Sequence, residues 1–125
     1  MIAQGTIRDS HRCSASRAFI QPANARPNLH ISKNSRVLKV LIDPRTKQTT
    51  GVLFEKNGRM YKVGVKKEVV LSAGTKMSPQ LLMLSGVGPA KHLKEMGIRV
   101  LSDLPVGEKL TVIQIKIPFI YKLII

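Results

Sequence analysis

The chain has 125 residues, enough for one domain that buries roughly two-thirds of the surface its unfolded form exposes. With 43% hydrophobic residues and no low-complexity tract it is not a disordered polymer, although aromatics make up only 4% and Trp is absent. Twenty-one Lys and Arg against seven Asp and Glu leave a formal charge of +14, but the cations are scattered singly apart from Lys66-Lys67 and do not alternate with aromatics, which argues for a solvated basic surface and against nucleic acid as a partner.

Met1 to Ile20 mixes polar and basic residues without a period, and Pro22 and Pro27 extend the chain, so this part reads as loop and connector. No amino-terminal run has the order of a signal peptide, and Cys13 stands alone, so no intrachain disulfide forms and cysteine usage leaves the compartment unknown. From Arg36 the residues Val37-Leu38-Lys39-Val40-Leu41-Ile42 are rich in β-branched types and stop at Asp43-Pro44, a strand and its turn. Gly51-Val52-Leu53-Phe54-Glu55-Lys56 is a second strand, closed by Asn57-Gly58, a strong hairpin signal. Tyr61, Val63 and Val65 alternate with Lys62, Gly64 and Lys66, a third strand with one wet face. The three predict an antiparallel meander.

Val69-Val70-Leu71 is apolar without alternation and runs into Ser72-Ala73-Gly74, which predicts a strand over 69–74 buried on both faces, as in a parallel sheet. Ser78 is the expected N-cap of a helix to Leu84, with Pro79 at its first position, Leu81, Leu82 and Leu84 as apolar cover and Gly86 as its stop. A second helix follows Pro89, with Ala90, Leu93 and Met96 on one face and Gly97 as its stop, and an extended segment runs from Ile98 to Leu104. Beyond Thr111 the residues are Ile, Leu, Val, Lys and aromatics without a defensible period; Gln114, Lys116, Pro118 and Lys122 break the run well short of a membrane span, so an aggregation-prone end is expected.

The most informative stretch is Gly74-Thr75-Lys76-Met77-Ser78-Pro79-Gln80-Leu81-Leu82-Met83-Leu84-Ser85-Gly86-Val87-Gly88. A strand that delivers a glycine before a helix places backbone N–H groups at a sheet end, where doubly wound folds bind nucleotides, yet a corner that simply needs small residues has the same spacing. The stretch resembles the second signature of the glucose-methanol-choline oxidoreductases, matching its restricted places at Gly74, Thr75, Ser78, Pro79, Leu81, Leu82, Ser85, Gly86, Val87 and Gly88. Arg12-Cys13-Ser14, Pro27-Asn28-Leu29-His30, Gly51-Val52, Lys67-Glu68-Val69 and Asp103-Leu104-Pro105-Val106-Gly107 are similar to the glucose dehydrogenase-like branch, so the likeness covers residues 1–110 and leaves 111–125 as a divergent apolar tail.

The resemblance implies an α/β fold: an incomplete FAD-binding domain of the glutathione-reductase-like kind, with an antiparallel meander, one strand of a parallel sheet and two short helices. It implies FAD as cofactor and, in the intact relative, an alcohol or sugar whose CH–OH group is oxidised by hydride transfer to the flavin. It gives Val37 a main-chain contact to the flavin adenine and sets Ala73 and Gly74 near the adenosine diphosphate half. No GxGxxG turn occurs in the sequence, and after Gly107 the chain departs from the family's usual Asn, apolar residue and Gln-Asp-His. The expectation is therefore a piece of such an enzyme that does not catalyse alone, the alternative being a non-catalytic cationic binding fragment or degenerate gene product. His11, His30 and His92 are far apart without ligand-spaced partners, Ser72, Ser78 and Ser85 lack a nucleophile elbow, and an isolated Lys76 reads as a surface charge, so no catalytic residue and no metal ligand is assigned.

Overall fold

The computed structural model describes residues 6–109, and the apolar tail predicted from Thr111 lies outside them. These residues form two packed units that divide between Lys33 and Asn34. The amino-terminal unit is more ordered than its composition suggested. Strands β1 (Ile7–Arg8) and β2 (His11–Arg12) pair antiparallel around Asp9 and Ser10, whose φ of 52° and 58° are those of a tight mirror-image turn. A π-helical turn, Ser16–Ile20, then runs into a short α-helix, α1 (Gln21–Ala23). Pro22 therefore does not extend the chain; it sits in α1, within a run of helical residues that continues from the π-helical turn.

The second unit opens with the predicted meander: β3 (Ser35–Ile42), β4 (Thr49–Lys56) and β5 (Arg59–Gly64), antiparallel in that order. Asn57 and Gly58 both hold positive φ, 52° and 72°, the geometry that joins two strands without splaying them. Phe54 and Tyr61 face each other across the hairpin with stacked rings 5.5 Å apart. Asp43 ends β3 as expected: its carboxylate accepts from the Arg45 and Thr46 amides at 2.9 and 2.7 Å and from the Thr46 hydroxyl at 3.0 Å. The register is not uniform, because Val37 faces Phe54 while Lys39 faces Leu53, which leaves Leu38 as an extra residue in a β-bulge.

Helix α2 (Met77–Leu84) begins one residue before the expected cap, and the reading of Ser78 needs correction. No side chain caps this helix; the Ser78 hydroxyl instead accepts the Ala73 amide at 3.1 Å, tying the entering chain to the first turn. Gly86, at φ +91°, stops α2 as predicted. Leu81 is buried, Leu84 is exposed, and the core centres on Val40, Leu81 and the fully buried Leu93. Helix α3 (Ala90–Glu95) follows Pro89 and stops at Gly97, but the shared apolar face fails at Met96, which is exposed one residue past the last turn. The α3 terminus is closed by Asp103, whose carboxylate accepts the Ala90 amide at 2.8 Å. Two short parallel strands, β6 (Val87–Gly88) and β7 (Ser102–Asp103), bring the extended segment back beside the α2 stop.

The strand predicted over 69–74 does not appear. Among the described residues these positions pair with no strand, and Val70 is 75% exposed, so the segment is not buried on both faces. A parallel strand is defined by its neighbours, and an apolar run without one cannot close a ladder. The parallel pairing that does form, β6 with β7, was not anticipated.

Gly86 combines a steric and a conformational need for glycine. A Cβ there would lie 2.7 Å from the Arg99 carbonyl oxygen and 2.9 Å from the Leu101 side chain, at a φ that already disfavours one. Gly97 has positive φ but open space around it. In urea titrations Gly97→Ala is expected to cost about 1–2 kcal/mol, the conformational penalty alone, and Gly86→Ala clearly more; equal losses would show that the Arg99–Leu101 segment yields freely. Asp43, held below its ordinary value by the Thr46 amide and hydroxyl, sets a second expectation. A folded pKa lower than the unfolded one stabilises above the unfolded value, and the gain fades as pH falls through the folded value. Asp43→Asn should flatten stability against pH below about 4, where carboxylates titrate; an unchanged acid limb would remove Asp43 from that account.

Candidate functional site

Two of the three residues singled out from the sequence, Val37 and Ala73, meet at the outer edge of β3. Backbone pairing explains why that edge is available. The Val40 amide donates to the Ser85 hydroxyl at 2.9 Å, so Val40 turns its N–H away from β4, and Lys39 and Leu41 on either side of it turn toward β4. On the far side of the bulge the same alternation gives Arg36 to Glu55 and turns the Val37 N–H and C=O outward. The Ser85 hydroxyl also donates to the Leu81 carbonyl at 2.6 Å, and the residue is 1% exposed. One buried side chain thus joins the sheet edge to the last turn of α2.

Between them lies an open cleft of about 320 Å³, lined by Arg36, Val37, Leu38, Ala73, Gln80 and Leu81 among others. A second, more apolar cavity of about 340 Å³ shares Val37, Ala73 and Leu81 with the first and is also lined by Val69 to Ser72. Val37 and Ala73, 36 positions apart in the sequence, therefore face the same space. Gly74 lies next to Ala73 but does not line the cleft. Its φ is +90°, its surroundings are open, and its carbonyl accepts the Ser78 amide at 3.0 Å, so it shapes the corner that carries Ala73.

Sequence reasoning did not single out Arg36, Leu38 or Gln80 as lining residues. Gln80 occupies an unrestricted place in the matched signature, and only the α2 geometry turns it toward β3. Lys76 is exposed at the α2 entry, in agreement with a surface charge. The histidines do not converge on the cleft: each is exposed, and the His11 ring contacts the Asp9 carbonyl at 2.6 Å. No group of three metal-ligating side chains occurs among the described residues, and no helix among them is long and apolar enough to cross a membrane.

A family model described as GMC oxidoreductase matches residues 1–113. The chain belongs to the GMC oxidoreductase family. This GMC chain is 50% identical over 112 residues to the glucose dehydrogenase [FAD, quinone] of Drosophila pseudoobscura pseudoobscura, covering 88% of itself and 18% of that protein. It is 44% identical over 105 residues to the ecdysone oxidase of Bombyx mori, covering 84% of itself and 15% of the relative. In three dimensions it is similar to an FAD-dependent oxidoreductase from Chaetomium thermophilum, with a TM-score of 0.70 and 39% identity over 75% of this chain and 16% of that one. The GMC chain thus spans about a fifth or less of the length of the curated relatives it matches.

The geometry gives the signature a physical content: Ser85 anchors β3, Gly86 admits the Arg99 carbonyl, and Gly88 leaves room for Met83, whose Cγ a Cβ would meet at 2.8 Å. Ser85→Ala leaves the buried Val40 amide without its acceptor and is expected to cost about 1–3 kcal/mol in denaturant unfolding, whereas Ser78→Ala, at a half-exposed hydroxyl, should cost about 1 kcal/mol or less. The reverse order would mean that the Ser78 corner, not Ser85, holds α2 to the sheet.

Proposed function

We propose that this chain forms part of the cradle for flavin adenine dinucleotide in an oxidoreductase that acts on CH–OH groups of alcohols or sugars, with the Val37 main chain, Ala73 and Gly74 lying against the adenosine diphosphate half. The observation that carries the reading is the cleft on the β3 edge, where a main-chain N–H and C=O from Val37 point outward within a family whose matched relatives include a glucose dehydrogenase [FAD, quinone]. The group fits the residues present. A donor and an acceptor on one backbone residue match the adjacent donor and acceptor on an adenine edge, and the Leu38, Leu81 and Leu84 side chains offer an apolar wall for a flat base.

FAD, when bound, supplies the acceptor for the hydride leaving the alcohol carbon. This chain's own residues bind and orient the adenine end. They do not supply the other requirements of the reaction, since the sequence has no GxGxxG turn for the pyrophosphate and none of its histidines lines the cleft as a base.

Titrating the 125-residue chain into FAD, with adenosine diphosphate and flavin mononucleotide as competitors, tests the reading. Competition by adenosine diphosphate and none by flavin mononucleotide is the expected result. Binding that ignores adenine, together with salt-sensitive retention on nucleic acid, supports the alternative of a cationic binding fragment. The purified chain with FAD and an artificial electron acceptor is expected to leave glucose, choline and simple alcohols unoxidised. FAD-dependent turnover abolished by boiling would require a base among His11, His30 and His92 and would contradict the cradle-only role.

A further inference from the structure

The β3 bulge and the Ser85 anchor belong to one device. In a regular strand the peptide groups on the outer edge recur every second residue, so an outward Val37 would be followed by an outward Lys39, and Val40 would face β4. Here Val37 and Val40 both face outward, three positions apart, and Leu38 is the inserted residue that shifts the phase. Without the bulge the two features exclude each other. If Val40 kept its 2.9 Å bond to Ser85, the Val37 peptide groups would turn into the β4 ladder; if Val37 kept its outward groups, the Ser85 hydroxyl would meet no amide from β3.

We propose that the bulge at Leu38, held in phase by the Ser85 hydroxyl, is what aims the Val37 main chain into the cleft, so that Ser85 and Leu38 are positioning residues for an adenine-bearing ligand; this rests on the adenine reading above. Ser85 never touches the ligand. It is buried, both of its hydrogen bonds are internal, and it acts by fixing where along β3 the outward phase falls. The residue count between Val37 and Val40 therefore matters more than the identity of the Leu38 side chain. Ser85 has a second constraint, since its hydroxyl must reach both Val40 and Leu81, which only a small hydroxyl residue at the end of α2 can do.

The test is residue-resolved binding of adenosine diphosphate to the full nitrogen-15-labelled chain, with flavin mononucleotide as the adenine-free control. The Val37 amide signal is expected to move with adenosine diphosphate and to ignore flavin mononucleotide. Deleting Leu38 should abolish that response and weaken binding about tenfold or more, while Leu38→Ala, which keeps the residue count, should stay within about threefold. Ser85→Ala should weaken binding, and Ser85→Thr should restore most of it because the hydroxyl returns. If the native chain gives no adenosine diphosphate response at Val37, the adenine reading fails and this proposal with it. If the native chain responds and the Leu38 deletion responds equally, the reading stands and the positioning role is overturned. Should the deletion variant not fold, the Ser85→Ala and Ser85→Thr pair decides: equal affinities overturn the proposal, and recovery with Thr supports it.

Discussion

A single buried hydroxyl organises the second unit. Ser85 accepts from the edge of the meander through Val40 and donates to the helix through Leu81, so the sheet and α2 are joined at a point where the β3 edge amide has no strand partner. Burying an edge-strand amide without a partner costs a kilocalorie or more per group, and a sheet edge can lie against a helix only if something accepts its N–H. The stop of α2 follows from the same place. Gly86 turns the chain at positive φ immediately after Ser85, and its carbonyl accepts the Leu101 and Ser102 amides at 2.7 and 3.2 Å. The Lys47 ammonium donates to the Leu101 carbonyl at 2.7 Å, linking the β3–β4 turn to the returning segment.

That arrangement defines the cleft. Because α2 is held at the β3 edge by its last turn, its middle leans over the strand and carries Gln80 and Leu81 to one wall, while the Ala73–Ser78 bond folds the incoming chain onto another. Val37 lines the cleft with the side of its main chain that the register turns away from β4. Under the adenine reading proposed above, recognition by backbone tolerates replacement of the Val37 side chain but does not tolerate a change of register.

Much of this was legible in the sequence where local chemistry decides the structure. The meander, the Asn57-Gly58 turn, the Asp43 stop and the Gly86 and Gly97 helix stops each follow from one or two residues whose conformational preference nothing nearby opposes. The misses share a different cause. Val69 to Gly74 carried the composition of a buried strand, but strand identity depends on a neighbour that composition cannot show. Ser78 had the residue type of a cap and was taken instead by Ala73, a contact five residues back that competes with the helix terminus. The amino-terminal hairpin turns on Asp9 and Ser10, a pair without glycine, so its positive φ values left no strong mark. At the site, Val37 and Ala73 came from family resemblance; their shared cleft, the Leu38 bulge and the reach of Ser85 to Val40 are non-local and emerge only in three dimensions.

Amide hydrogen exchange along β3 tests the central claim most directly, because it reads the phase of the strand one residue at a time. The account predicts that the outward Val37 amide exchanges quickly, that Lys39 and Leu41 are protected by β4, and that the outward Val40 amide is protected as well, by Ser85 alone. In Ser85→Ala only the Val40 protection should collapse relative to its neighbours. A Val40 amide that exchanges as fast as Val37 in the native chain, or one whose protection survives loss of the hydroxyl, would contradict the claim that Ser85 joins the helix to the sheet.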